Sequence, residues 1–333
     1  MKKTNEAAFT LLELLVAVAI TLILAGIMLV VVSNVLSLWR RTQHQFAASA
    51  QAKLVLDMLE RDLHSAIFRR DGSMWMAVTV SNSSAPLTIH GWLVTAKMKP
   101  AAPESLRLVP DPGDGSTPVL TNARFGVSGA WLRFVTTNVE SDGSLPVTVS
   151  YQIARRPVSG AVSSANPADV RYSLFRSAVS TAATFSTGYE VEAAGYGSTS
   201  ITPAASRSPK TVTNPNSTDA LATNVVDFGI WLYVRDDAPG ALRRFFPADG
   251  NDLVHEARGV GLPADGNRMP QVVDVMIRIV SDEGASLLSE MENDSGHIAR
   301  PADFASDAEW WWSIVEKYSK VYVRRIEVKG EAL

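Results

Sequence analysis

The sequence predicts an α+β fold in which one long N-terminal helix spans a membrane with its first half and packs its second half on a mostly antiparallel β domain. Three observations carry this expectation. Residues 14–32 hold no charge and have Thr21 as their only hydroxyl, an apolar run of bilayer length. Ala52, Val55, Leu59, Leu63 and Ala66 then recur at three- and four-residue spacing. From Trp75 onward, short runs rich in Val, Ile, Thr and aromatic residues alternate with turns bearing Pro, Gly and Asp.

At about 1.5 Å per residue, the run 14–32 reaches roughly 28 Å as a helix, close to the thickness of a bilayer's hydrocarbon core. Lys2 and Lys3 precede it, which orients the N-terminus to the cytoplasm and the bulk of the chain outward. A secretory signal, a plain anchor and an anchor with a further task all share these features. A cleavable signal has a shorter apolar core and a small-residue exit, whereas residues 33–39 read Ser-Asn-Val-Leu-Ser-Leu-Trp and lead into more helix. A plain anchor gives no reason for Glu13, because a carboxylate in an apolar segment costs several kcal/mol unless it is partnered.

Past Trp39 the helical period continues, with Arg61, Asp62 and Arg69 set between the apolar positions. One helix is therefore expected from near Phe9 to about Arg69, about 90 Å long. Gly26 is its only interior glycine and it holds no proline, so nothing beyond a bend near Ser33 and Asn34 interrupts it. Asp71-Gly72-Ser73 supplies turn chemistry at its end.

Strands are expected at 75–80, 87–96, 131–136, 147–153, 170–175, 225–234, 272–280 and 321–328. In the sixth, Val226, Phe228, Ile230, Leu232 and Val234 alternate with Val225, Asp227, Gly229, Trp231 and Tyr233, the period of a strand with one buried face. Residues 110–115 (Pro-Asp-Pro-Gly-Asp-Gly) read as a turn. Residues 192–224 are rich in Ser, Thr, Ala, Pro and Asn and read as a long, loose, exposed insertion. Ser306 and Glu309 fit a capping box that opens a helix through Trp310, Trp311 and Trp312 to Tyr318. Three successive tryptophans cannot all face one core, so at least one should be partly exposed.

Composition narrows the function. With 333 residues, 46% hydrophobic and 20% charged, the chain suits one membrane span plus a globular part. A net charge of -3 with scattered Lys and Arg gives no footprint for nucleic acid. The absence of cysteine excludes disulfides, thiolate metal sites and a cysteine nucleophile. His44, His64, His90, His255 and His297 are scattered without metal-ligand spacing. No nucleotide-binding loop or nucleophile motif is present, so the sequence supports no catalytic residue, no cofactor and no small-molecule substrate. Three acidic groups (Asp236 with Asp237; Asp249 with Asp252; Glu290, Glu292 and Asp294) lack EF-hand spacing and read as solvated turns, not calcium ligands. Exposed aromatics mark interfaces, so Trp310 to Trp312 suit a binding patch as well as they suit core packing.

The stretch Ala8-Phe9-Thr10-Leu11-Leu12-Glu13-Leu14-Leu15-Val16-Ala17 resembles the leader and mature start of type IV prepilins and type II secretion pseudopilins. The resemblance implies that a prepilin peptidase cuts between Ala8 and Phe9, that Phe9 is N-methylated, and that Glu13 pairs with the N-terminus of a neighbouring subunit on assembly. Ala8 departs from the family's usual Gly, and as the next smallest side chain it should still be processed, more slowly. Further on, Leu56-Asp57-Met58-Leu59-Glu60-Arg61-Asp62-Leu63, Val149-Ser150-Tyr151-Gln152-Ile153 and Tyr172-Ser173-Leu174-Phe175-Arg176 resemble J-type minor pseudopilins. Met269-Pro270-Gln271-Val272-Val273-Asp274-Val275, followed by a helix and a closing strand, is similar to the pilin-like proteins called Verru_Chthon cassette protein C.

These resemblances imply a pilin-like α+β subunit with a leader at 1–8, a transmembrane and assembly helix at 9–38, an amphipathic continuation at 39–70 and an extracytoplasmic β-rich domain at 71–333. Such a subunit waits in the bacterial inner membrane, N-terminus inward, and joins other pilin or pseudopilin subunits in a fibre. The rival expectation is a membrane-anchored extracytoplasmic binding or adhesion domain that never polymerises.

Overall fold

The computed structural model describes residues 11–69, 72–80, 99–100, 119–138, 145–157, 170–191, 215, 217–235, 242–247, 254–258, 269–292 and 299–328. The expected strand at 87–96, the turn at 110–115 and the insertion from 192 to 214 lie outside them. The chain divides into two compact units, Met1–Ala47 and Ala48–Leu333. Helix α1 (Leu11–His64) belongs to the first unit up to residue 47 and to the second from residue 48.

Within the second unit, α1 buries Ala52, Val55, Leu59 and Leu63 at the predicted spacing, with Leu56 beside them, whereas Ala66, expected in the same stripe, lies past the end of the helix and is only partly buried. It stops at His64, about one turn before the expected end. Competition from a sheet explains the difference. Ala66 bridges Thr136, Ile67 N–H donates to the Val135 carbonyl at 2.9 Å, and Thr137 N–H donates to the Ser65 carbonyl at 3.1 Å. Sheet partners thus take the backbone groups of residues 65–67. Gly72, with φ at +89°, adopts the left-handed backbone that suits the turn expected there, eight residues after the helix has ended.

Among the described residues ten strands follow: β1 (Met76–Val80), β2 (Ala130–Asn138), β3 (Leu145–Pro157), β4 (Val170–Ala178), β5 (Ala220–Thr223), β6 (Val225–Arg235), β7 (Leu242–Phe246), β8 (Val254–Ala257), β9 (Val272–Val280) and β10 (Ser319–Glu327). They form a six-stranded sheet ordered β5-β4-β3-β2-β1-β8 and a four-stranded sheet ordered β10-β9-β6-β7, with every described pair antiparallel. The described residues also hold three shorter helices, α2 (Thr181–Ser186), α3 (Asp282–Glu292) and α4 (Asp307–Tyr318). One continuous core joins the second half of α1, both sheets, α3 and α4.

Two expectations need correction. Strand β6 was expected to bury one face, yet Val225 through Leu232 are buried on both. The Phe125 ring covers the second face: a Cβ on Gly229 would lie 2.0 Å from Phe125 Cε2, so only glycine admits the ring there. The loose insertion was expected to reach 224, but residues 217–219 form a 3-10 turn and β5 pairs with β4. Asn224 then turns in the left-handed region, φ +60°, and its Nδ2 donates to Asp282 Oδ1 at 2.7 Å.

The capping box of α4 is present in a stretched form. Ser306 Oγ accepts from Glu309 N–H at 3.1 Å, while Glu309 Oε2 accepts from Ala305 N–H at 2.8 Å, one residue further out than the usual partner. Trp311 and Trp312 are buried and Trp310 is half-buried, as the triplet required.

Candidate functional site

The first part of α1 is built from Leu, Val, Ile and Ala and is exposed on every side: Leu11 is 81% exposed, Met28 71% and Leu38 66%. A helix apolar all round is suited to lipid or to the interior of a helix bundle, not to water. Residues Leu11–Trp39 are long and apolar enough to cross a membrane, about 43 Å at the α-helical rise. Three hydroxyls of α1 bond to their own helix. Thr21 Oγ1 donates to the Ala17 carbonyl at 2.7 Å, Ser37 Oγ to the Asn34 carbonyl at 2.8 Å, and Thr42 Oγ1 to the Leu38 carbonyl at 2.9 Å. Hydroxyls satisfied by their own helix need no water, which is the condition for lying in hydrocarbon.

Glu13 is in the first turn of this helix, where the N-terminal end of the macrodipole favours a negative charge. Of the three residues expected to act in processing and assembly, Glu13 alone falls among the described residues. Ala8 and Phe9 lie outside them.

In the second unit, carboxylates gather donors from distant segments. Asp62, buried near the end of α1, accepts from Tyr151 OH at 2.6 Å, from Arg176 Nε at 2.7 Å and from Arg176 Nη2 at 3.0 Å. The register sets Tyr151 beside Arg176 on neighbouring strands β3 and β4. The three sequence segments that resemble J-type pseudopilins therefore meet at one buried cluster. Burial, reinforced by Asp62, pushes the Tyr151 hydroxyl well above its usual range, so it stays a donor.

Glu292 corrects its expected place in a solvated acidic turn. Its side chain is 13% exposed, with Oε2 2.7 Å from Arg155 Nε. Its Oε1 accepts from Tyr172 OH and from Trp311 Nε1, both at 2.7 Å. Asp236, Asp237, Asp249, Asp252 and Asp294 lie outside the described residues. Among the described residues, no three His, Cys, Asp or Glu side chains gather in a way that could hold a metal ion.

His64 Nε2 lies 3.0 Å from the Glu327 carbonyl. His255 on β8 is buried beside Phe245 and Phe246, with ring centroids at 5.0 and 6.1 Å. Burial pushes the His255 imidazole down to about 4 from 6.5. The neutral ring therefore contributes stability that is fully present above the unfolded value and lost as pH falls toward the folded one. Stability should drop by about 2 kcal/mol between pH 7.5 and about pH 5 on this account. Denaturant midpoints across that range check it, and His255→Phe should flatten the slope.

Comparison with known protein families matches residues 3–29 to the prokaryotic N-terminal methylation motif. No curated protein sequence matches the chain. Among solved structures, the chain is similar to a type IV-like pilin from Thermus thermophilus at 8% identity, over 84% of this chain and 95% of that one, with a TM-score of 0.29. That score is too low for the superposition to bear on the fold.

Proposed function

We propose that this chain is a structural subunit of the pilin and pseudopilin type, processed by a prepilin peptidase and built into a fibre through its N-terminal helix. One coincidence carries the reading: the methylation motif at 3–29 overlies the start of an apolar helix, exposed on all sides, with Glu13 in its first turn. In this reading the peptidase cuts between Ala8 and Phe9 on the cytoplasmic side, and Phe9 is N-methylated. The helix holds the subunit in the inner membrane, with the β-rich unit extracytoplasmic, until assembly. Glu13 then pairs with the new N-terminal amine of a neighbour, so a charge that is costly in lipid sets register between helices. The bulk of the second unit, Ala48–Leu333, suits a minor subunit at a tip or initiating complex better than a repeating shaft.

Intact mass of the protein isolated from its membrane tests the reading. The expected result is loss of residues 1–8 and a methylated Phe9; an uncut N-terminus defeats it. Glu13→Leu should leave membrane insertion unchanged while recovery with partner pilins falls by about tenfold or more, the loss expected when a pair worth over about 1.4 kcal/mol is removed. Unchanged recovery would remove Glu13 from the register role.

A further inference from the structure

The structure places a lysine and an aspartate in contact where water is excluded. Lys99 Nζ lies 2.6 Å from Asp227 Oδ1, with the two side chains 1% and 0% exposed. Phe125 N–H approaches both carboxylate oxygens, Oδ1 at 3.3 Å and Oδ2 at 3.2 Å, and Phe228 N–H lies 3.1 Å from Oδ1. The Phe125 ring over Gly229 closes one side. Trp312 closes another: its ring centroid is 5.4 Å from Lys99 Nζ, and its Nε1 donates to the Pro100 carbonyl at 3.2 Å, fixing the backbone beside the lysine. Two fully buried charges are expensive to keep, even paired.

We propose that Lys99 and Asp227 condense into an intramolecular amide, a covalent cross-link between β6 and a segment 128 residues earlier in the chain. The ion pair carries every atom the reaction needs. Lys99 Nζ gives one proton to a carboxylate oxygen, and the freed amine attacks Cγ. The protonated oxygen then leaves with a second Nζ proton as water, so an ammonium and a carboxylate become an amide and one water molecule. With Oδ1 taking the Lys99 proton, Oδ2 becomes negative in the tetrahedral intermediate, and Phe125 N–H, 3.2 Å from it, is the oxyanion-type donor, while Phe228 N–H holds Oδ1. Burial holds the Lys99 ammonium below its usual range against the pull of Asp227, and Arg278 and Arg124 add to the effect, which favours the free amine. Condensation removes both buried charges and expels the water. A chain without cysteine has no disulfide with which to make such a link.

Mass spectrometry of the full processed protein under denaturing conditions tests the proposal, because an ion pair does not survive there. The expected mass is one water below that of the processed sequence. A tryptic digest should then contain residues 98–107 joined to residues 211–235. Lys99→Arg should abolish the joined species. Asp227→Asn should yield the same joined product with loss of ammonia in place of water. If the wild-type mass is unreduced and the two peptides separate, the pair is ionic only and the proposal is overturned; that measurement decides even if a variant fails to fold.

Discussion

Asp62→Ala is expected to destabilise the second unit by about 3 to 5 kcal/mol, the range for breaking a buried ion pair from one side. Both carboxylate oxygens are in use, Oδ2 by Tyr151 and Arg176 and Oδ1 by Arg176. Alanine would leave the Arg176 guanidinium, 21% exposed, against Tyr151 OH at 3.2 Å with no carboxylate beside it. Burial works against the Arg176 charge, but the hydrogen bonds and charges of Asp62 and Tyr151 outweigh it and hold its pKa above the usual range. Removing Asp62 leaves mainly the unfavourable part. The cluster also ties the end of α1 to β3 and β4, and Thr136 Oγ1 on β2 donates to the Asp62 carbonyl at 2.8 Å. Urea unfolding of the full chain measures the loss. Asp62→Leu combined with Arg176→Met should lose clearly less than the sum of the two single changes, because no charge is left stranded. Additive losses would mean that the pair is not coupled.

Much of the fold was legible because burial wrote a period into the chain. The stripe Ala52, Val55, Leu59 and Leu63 marked the packed side of α1, and the β-branched runs at 225–234 and 272–280 marked β6 and β9. The errors have physical causes. Asp227, Gly229 and Trp231 read as an outward face because two are polar or small, yet Lys99 and Phe125 from distant segments cover that face. Strand β5 is Ala-Leu-Ala-Thr at a sheet edge, too small and too short to show alternation. Helix α3 was missed because Gly284 weakens its propensity; the glycine is there because a Cβ would come within 2.5 Å of Tyr318 Cβ and Val280 Cγ1. Strands β7 and β8 are four or five residues long and flanked by Pro, Gly and Asp, so turn chemistry masked them. At the candidate site, Glu13 stands out in the sequence by chemistry alone, as an acid in an apolar run, and its part in assembly is a proposal. Ala8 and Phe9 rested on resemblance. Asp62, Tyr151 and Arg176 were all in view, but their meeting depends on strand register, which no local pattern contains.

Glu292→Ala is expected to be as costly as the loss of Asp62, about 3 to 5 kcal/mol, and for a related reason. Glu292 closes α3, and its carboxylate is shared by three elements: Arg155 on β3, Tyr172 on β4 and Trp311 on α4. The Arg155 side chain is 8% exposed, so alanine strands a charge that cannot reach water without moving the surrounding chain. It also leaves the Tyr172 hydroxyl and the Trp311 indole N–H unpaired, although their rings keep their edge-on contact at 6.0 Å. Burial, with Glu292 adding to it, pushes the Tyr172 hydroxyl well above its usual range, so it donates throughout the accessible pH range. Glu292→Gln separates the two contributions. Its amide oxygen can still accept from Tyr172 and Trp311 while the charge opposite Arg155 is gone, so a loss between wild type and alanine is expected. Tryptophan emission should report the difference directly. In Glu292→Ala the tryptophan emission should shift at denaturant concentrations well below those that shift wild type, whereas a midpoint equal to wild type would show that Arg155 is neutralised by another group.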